Sequence, residues 1–181
     1  MAVTAASIPG TTHPQRLDRL VIGIGNEHRG DDAVGPWVAR RLRHPLSGVA
    51  RVLEADVGGA ELIDMWAGTR YVWIVDAARA GGAPGTLYRF EVGPRDLPAT
   101  LGSTSTHGVS LADAVALARV LDRLPAHLVI YGIEPLRLET GAGLSAAVKA
   151  AIEPLARRIE GEVRSAAGVP PFGAMGGTAD A

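Results

Sequence analysis

Residues 20–42 read LVIGIGNEHRGDDAVGPWVARRL, and this stretch decides the fold. Its first part, Leu20-Val21-Ile22-Gly23-Ile24, is a short unbroken apolar run interrupted only by glycine, the pattern of a strand buried on both faces. Its second part places Val34, Trp37, Val38 and Leu42 at helical spacing, with Arg40, Arg41 and Arg43 largely outside the apolar stripe. A strand covered on both faces, followed at once by an amphipathic helix, is the opening of a parallel sheet with crossover helices.

The same alternation runs through the rest of the chain. Arg51-Val52-Leu53-Glu54 reads as a second strand and Ala60 to Trp66 as a short helix. Tyr71-Val72-Trp73-Ile74-Val75 is β-branched and aromatic, and it is expected to end at Asp76. Gly85 to Val92 alternates apolar and polar residues, as an edge strand with one wet face does. His107 is expected to open a helix with the stripe Leu111, Ala114, Val115, Ala118 and Leu121. His127 to Ile133 gives the last strand, and Leu144, Val148, Ile152, Leu155, Ile159 and Val163 the last helix, which Pro154 should kink or split. The expected fold class is α/β: a three-layer α/β/α sandwich with a mostly parallel five-stranded sheet and one antiparallel edge strand. Residues 17–167 form its single domain, with flexible tails at 1–16 and 168–181, the latter rich in Gly, Pro and Ala.

Composition narrows the function. The chain has 181 residues, 47% of them hydrophobic, enough to bury one core. Its 18 basic and 19 acidic residues leave a net charge of −1, which argues against nucleic acid as a partner. There is no cysteine, so disulfides, Fe–S clusters and thiol nucleophiles are excluded, and a metal must be held by His, carboxylates or backbone oxygens. Neither a signal peptide nor an apolar run long enough to span a membrane is present, so the expected setting is the cytoplasm, away from membranes.

Ligands of open α/β sheets bind outside the carboxyl ends of the strands. The polar residues there are Asn26 to Asp32, Glu54 and Asp56, Asp76, and the run Ser103 to His107. Asp32, Asp76 and His107 make a set of two carboxylates and an imidazole suited to a divalent transition metal. One of Asp31 and Asp32 has a plainer reading as a helix cap or first-turn acid. His28 reads as solvated and His127 as the start of a strand. GxSxG and HExxH are absent, which removes the serine elbow and the common zinc-protease helix. Gly23-Ile24-Gly25 begins a dinucleotide fingerprint, but His28 stands at the third glycine position.

With these residues in view, the sequence resembles the maturation proteases of nickel-iron hydrogenases, from about Leu20 to Leu155. Gly23-Ile24-Gly25-Asn26 followed by Asp31-Asp32-Ala33-Val34-Gly35 is similar to that family's opening block. Ile74-Val75-Asp76-Ala77 is like its strand ending in an acidic ligand, and His107-Gly108-Val109-Ser110-Leu111 like its H-x-x-x-L helix start. Ala83-Pro84-Gly85-Thr86 and Tyr131-Gly132-Ile133-Glu134-Pro135 also look like family segments. The resemblance implies an endopeptidase that removes the C-terminal extension of a hydrogenase large-subunit precursor after nickel insertion. It implies that Asp32, Asp76 and His107 grip the nickel carried by that precursor, replaceable in vitro by another divalent ion, and serve catalysis. It implies a monomer that meets its substrate transiently. Where many members read like D-G-G-T-x-G, this chain has Glu54-Ala55-Asp56-Val57-Gly58-Gly59, so the role of that loop stays open. Two other readings share these residues: a peptidyl-tRNA hydrolase, whose opening also looks like Gly23-Ile24-Gly25-Asn26, and a metal-sensing maturation chaperone that cleaves nothing.

Overall fold

The computed structural model describes residues 18–57, 59–93 and 110–166; the two tails and His107 lie outside the described residues. Five strands, β1 (Arg19–Ile24), β2 (Arg51–Ala55), β3 (Tyr71–Ala77), β4 (Leu87–Glu91) and β5 (His127–Ile133), form one sheet in the order β2-β1-β3-β5-β4. All neighbours pair in parallel except β4, which runs antiparallel to β5 at the edge. The helices are α1 (Val34–Arg43), α2 (Ala60–Trp66), α3 (Leu111–Val120) and α4 (Ala146–Ser165), with a single 3-10 turn at Gly30–Ala33 before α1.

Strand periodicity sorts the core into two layers. Val21, Trp73, Val75, Val129 and Tyr131 face α1 and α4, where Val34, Val38, Leu42, Leu155, Ile159 and Val163 are buried. Leu20, Ile22, Val72, Ile74, Leu128 and Ile130 face α2 and α3, against Leu62, Ile63, Trp66, Leu111 and Val115. The central strand β3 is buried at every position, as its apolar run at 71–75 requires and with Asp76 buried after it. β4 leaves Arg89 and Glu91 exposed, in keeping with its alternation. The polar side of the first layer is tied down by Glu162 of α4, which accepts hydrogen bonds from Trp73 Nε1 at 3.1 Å and the Tyr131 hydroxyl at 2.6 Å.

Four expectations change. Pro154 does not split the last helix: α4 is one helix of 20 residues, its apolar face holding it against the sheet where the missing Pro154 N–H gives up one backbone bond. α3 does not start at His107 but at Leu111, with Ser110 as N-cap and a reciprocal bond between Ser110 and Asp113. Leu121 falls just past the end of α3 and is 50% exposed. Trp37 leaves the buried stripe of α1 and is 49% exposed. The face of α1 that meets the sheet is centred on Gly35 and Val38, which turns Trp37 outward.

Close packing of α1 explains the glycines of the opening block. A Cβ on Gly35 would lie 2.1 Å from Ile24 O and 2.6 Å from Val75 O, and one on Gly23 would lie 2.1 Å from Gly35 O. The first turn of α1 therefore rests directly on the β1 and β3 backbones. Replacing Gly35 by alanine should cost about 3 kcal/mol, because the obstructing atoms are backbone and cannot swing aside. A fall in the urea midpoint with an unchanged slope would register this.

Candidate functional site

Chain order and sheet order diverge at β1. From it the chain steps to β2 on one side through α1, then returns through α2 to β3 on the other. This places the ligand crevice of an open α/β sheet at the carboxyl ends of β1 and β3. The residues delivered there are the 25–33 segment and Asp76.

Asp76 is the next-to-last residue of β3, and its neighbour across the sheet is Gly132. It is 2% exposed, and its Oδ2 has no hydrogen-bond partner. Burial, followed by the negative charge of Asp32, pushes its pKa from 3.8 up to about 8, against a smaller opposing pull from the Ala77 N–H. A buried carboxylate with an unsatisfied oxygen beside a second carboxylate is costly to the fold. It is also the arrangement that a cation would relieve.

The structure separates the adjacent acids that the sequence leaves equivalent. Asp31 is fully buried and turned away from the crevice. Its Oδ2 accepts from Leu136 N at 2.8 Å and Arg137 N at 3.2 Å, and its Oδ1 from Ser145 N at 2.6 Å. Asp31 thus fastens the loop between β5 and α4 to the start of α1. Like Asp32 it stands in the first turn of the Gly30–Ala33 3-10 helix, as expected of one of the pair, but it caps no helix end, and its side-chain partners are more than a hundred residues away. Asp32 belongs to the crevice: it is 5% exposed, and its Oδ2 accepts from Asn26 N at 3.1 Å and from Arg29 Nη1 at 3.4 Å. Gly25, at φ 138°, lets the backbone turn beneath it, since a Cβ there would fall 1.9 Å from Asp32 O. The glycines of Gly23-Ile24-Gly25 thus serve helix packing and this turn.

Beside the crevice, on the β2 side, lies an open cleft of about 270 Å³ lined by Gly25, Asn26, Glu27, His28, Pro36, Glu54, Ala55 and Asp56. Its acids are held in place. Glu54 pairs with Arg40 at 2.7 Å and with Arg43, and Asp56 Oδ2 accepts from Asn26 Nδ2 at 3.0 Å. Asn26 Oδ1 in turn accepts from His28 N at 2.9 Å, leaving the His28 side chain exposed, as expected. The carboxyl end of β2 with Asp56 after it therefore shapes the wall of the cleft and fixes Asn26, whose N–H holds Asp32. His127 begins β5 and stacks on Tyr71 at 4.8 Å, far along the strand from the crevice.

One contributor was not singled out by sequence reasoning. Glu134 follows β5 and is 6% exposed, and its Oε2 accepts from Ala80 N at 2.8 Å, Gly82 N at 3.2 Å and the Tyr88 hydroxyl at 2.9 Å. These bonds hold its pKa below the usual glutamate value despite burial. Glu134 so pins the strap that follows Asp76 to the end of β5, assisted by Gly85 N to Glu134 O at 2.8 Å. Its sequence signals were an acid directly after an apolar strand, the same kind of position that drew attention to Asp76, and its place in the family-like segment Tyr131-Gly132-Ile133-Glu134-Pro135.

The structure thus brings Asp32 and Asp76 together and assigns Asp31 to the scaffold. His107, the third member of the expected set, lies outside the described residues. Among the described residues no three His, Asp or Glu side chains group to hold a metal. No helix of the described residues is long and apolar enough to cross a membrane.

Comparison with known proteins gives a consistent result. The family model described as hydrogenase maturation protease matches residues 38–162, an interval that includes Asp76 and His107 and begins after Asp32. The hydrogenase 2 maturation protease of Escherichia coli (strain K12) is 30% identical over 149 residues, covering 80% of this chain and 90% of that protein. The solution structure of an endopeptidase from Escherichia coli superposes with a TM-score of 0.72 at 28% identity, covering 85% of this chain and 96% of that one. The hydrogenase maturating endopeptidase HybD from E. coli gives 0.66 at 26% identity, over 82% and 93%.

Proposed function

The chain belongs to the hydrogenase maturation protease family, and on that premise we propose that it removes the C-terminal extension of a nickel-iron hydrogenase large-subunit precursor once nickel is inserted. It is a hydrolase, a protease, so the readings as a peptidyl-tRNA hydrolase and as a non-cleaving chaperone are set aside. It works as a monomer in the cytoplasm and reads the substrate's nickel through Asp32, Asp76 and His107.

The observation that carries this reading is the Asp76 carboxyl, buried, with one oxygen unpartnered and the charge of Asp32 close by. With its pKa near 8, Asp76 is mostly protonated at neutral pH while the crevice holds no cation. A divalent ion presented by the substrate supplies the positive charge that Asp76 lacks and that Asp32 meets in Arg29 alone among the ion pairs described, so docking a loaded precursor is favoured over docking an empty one. Oxygen and imidazole donors bind nickel less tightly than the thiolates expected in the precursor. The enzyme can therefore inspect the metal without stripping it.

Hydrolysis of the bond beyond the nickel motif adds water's oxygen to the scissile carbonyl carbon. The C–N bond breaks, and the proton passes to the leaving amine. The substrate ion polarises the reacting centre, and a carboxylate of the Asp32–Asp76 pair takes the proton from water. The test uses purified precursor, nickel-loaded and nickel-free, read by mass. Loss of a C-terminal peptide from the loaded form alone is expected. Normal processing by an Asp76→Ala/His107→Ala double variant would sink the nickel-reading scheme.

A further inference from the structure

A groove of about 540 Å³ runs between α1 and α4, apart from the crevice, with Trp37, Leu144 and Ile152 as its apolar walls. Trp37 is 49% exposed, whereas Trp66 and Trp73 are 1% and 4% exposed. An indole left this open on a helix is the residue type most often found at the energetic centre of a protein interface. The charges around it are unequally satisfied. Arg40 pairs with Glu27 and Glu54, and Arg41 grips both oxygens of Glu153 at 2.6 and 2.8 Å. Lys149, exposed and the chain's only lysine, has no ion-pair partner among the described residues. It also stands on the fourth residue of α4, where the helix dipole disfavours a cation. An apolar wall beside an ammonium that no described acid pairs with is complementary to an acidic side chain next to an apolar one.

The groove adjoins the cleavage site through α1. Pro36 lines the cleft of the crevice, Trp37 lines the groove, and Arg40, at the groove, reaches Glu27 and Glu54 of the cleft. A stable interface between folded proteins covers roughly 800 Å² per partner, so a precursor seated over the crevice extends onto this neighbouring surface. We propose that the α1–α4 groove docks a second segment of the precursor, one that sets an acidic residue against Lys149 and an apolar residue against Trp37. The inference rests on the proposed processing function and names its partner surface.

Two measurements test it. The first is processing kinetics of Trp37→Ala and Lys149→Glu on full-length, nickel-loaded precursor. KM should rise about tenfold or more in each while kcat stays within about twofold, because the groove binds substrate away from the reacting bond. Lys149→Glu is a surface change that leaves the fold intact, so it decides the matter even if Trp37→Ala folds poorly; an unchanged KM in it overturns the proposal while leaving the processing function standing. The second is zero-length carbodiimide coupling of the wild-type protein to precursor, with the products mapped by mass. Coupling of Lys149 to an aspartate or glutamate of the precursor supports the proposal. Coupling to a second copy of this chain, to its own Asp180 or to its C-terminal carboxylate overturns it, and so does absence of any Lys149 product. If the wild type leaves loaded precursor intact, the processing reading falls and the coupling still decides the docking.

Discussion

Asp76→Asn is expected to lower precursor processing by about a thousandfold while making the protein harder to unfold at pH 8. The activity loss follows from the role proposed for this carboxylate, which is to meet the substrate ion and help move the proton from water. The stability gain follows from burial. Unfolded, this carboxyl ionises near 3.8; folded, it holds its proton up to about 8. Between those values the folded state binds the extra proton, so stability falls as the pH climbs, by at most about 1.4 kcal/mol per pH unit. Above pH 8 both states are ionised and the loss is complete. Asparagine carries no such penalty. Urea midpoints at pH 5 and pH 8, taken with a chelator, should show the variant's advantage over wild type growing with pH. An advantage that shrinks would overturn the assignment of Asp76 as the buried, repelled acid. Added nickel should recover stability in the wild type at pH 8 and do much less for the variant, since a ligand stabilises only the state that binds it.

The layers of the fold were legible because burial on both faces writes itself into unbroken apolar runs. β3 and β5 are such runs, and the expected β5 matches the observed His127–Ile133. The crevice was legible too, because strand ends and the acids that follow them can be read locally, and they led to Asp76. What escaped depends on contacts made across the chain. Nothing near Asp31 or Asp32 indicates that one reaches 105 to 114 residues away to the β5–α4 loop while the other stays at the crevice. Trp37 fits the apolar stripe of α1 by spacing, yet the press of Gly35 onto the sheet rotates it outward. Glu134 looks like any loop acid until the strap it holds is seen. Propensity and period carry the elements; the partners of buried polar groups are decided by tertiary structure.

That division gives the adjacent acids opposite phenotypes, and the contrast is the second large effect. Asp31→Ala should lose about 3–5 kcal/mol of stability, because it strips a buried carboxylate from the Leu136, Arg137 and Ser145 amides and leaves those donors without their acceptor. Asp31→Asn should fall between: its one carbonyl oxygen can serve Ser145 or the Leu136–Arg137 pair, and its NH₂ then faces amides it cannot satisfy. Asp32→Ala should stay within about 1 kcal/mol of wild type. The Asn26 N–H loses its acceptor there, but the charge that raises the pKa of Asp76 goes as well, and the two effects oppose each other. Activity should reverse the order. Processing by the folded fraction of Asp31→Ala, assayed at low temperature, should remain within about tenfold of wild type, while Asp32→Ala should lose about a hundredfold or more with its fold intact. Urea melts and mass-read processing on the same preparations separate the outcomes. If Asp32→Ala were the unstable variant and Asp31→Ala the inactive one, the crevice would have to be rebuilt around Asp31. The hydrogen bonds at 2.6 and 2.8 Å that hold Asp31 to the far loop argue against that exchange, because a carboxylate committed to three amides has little left to offer an ion.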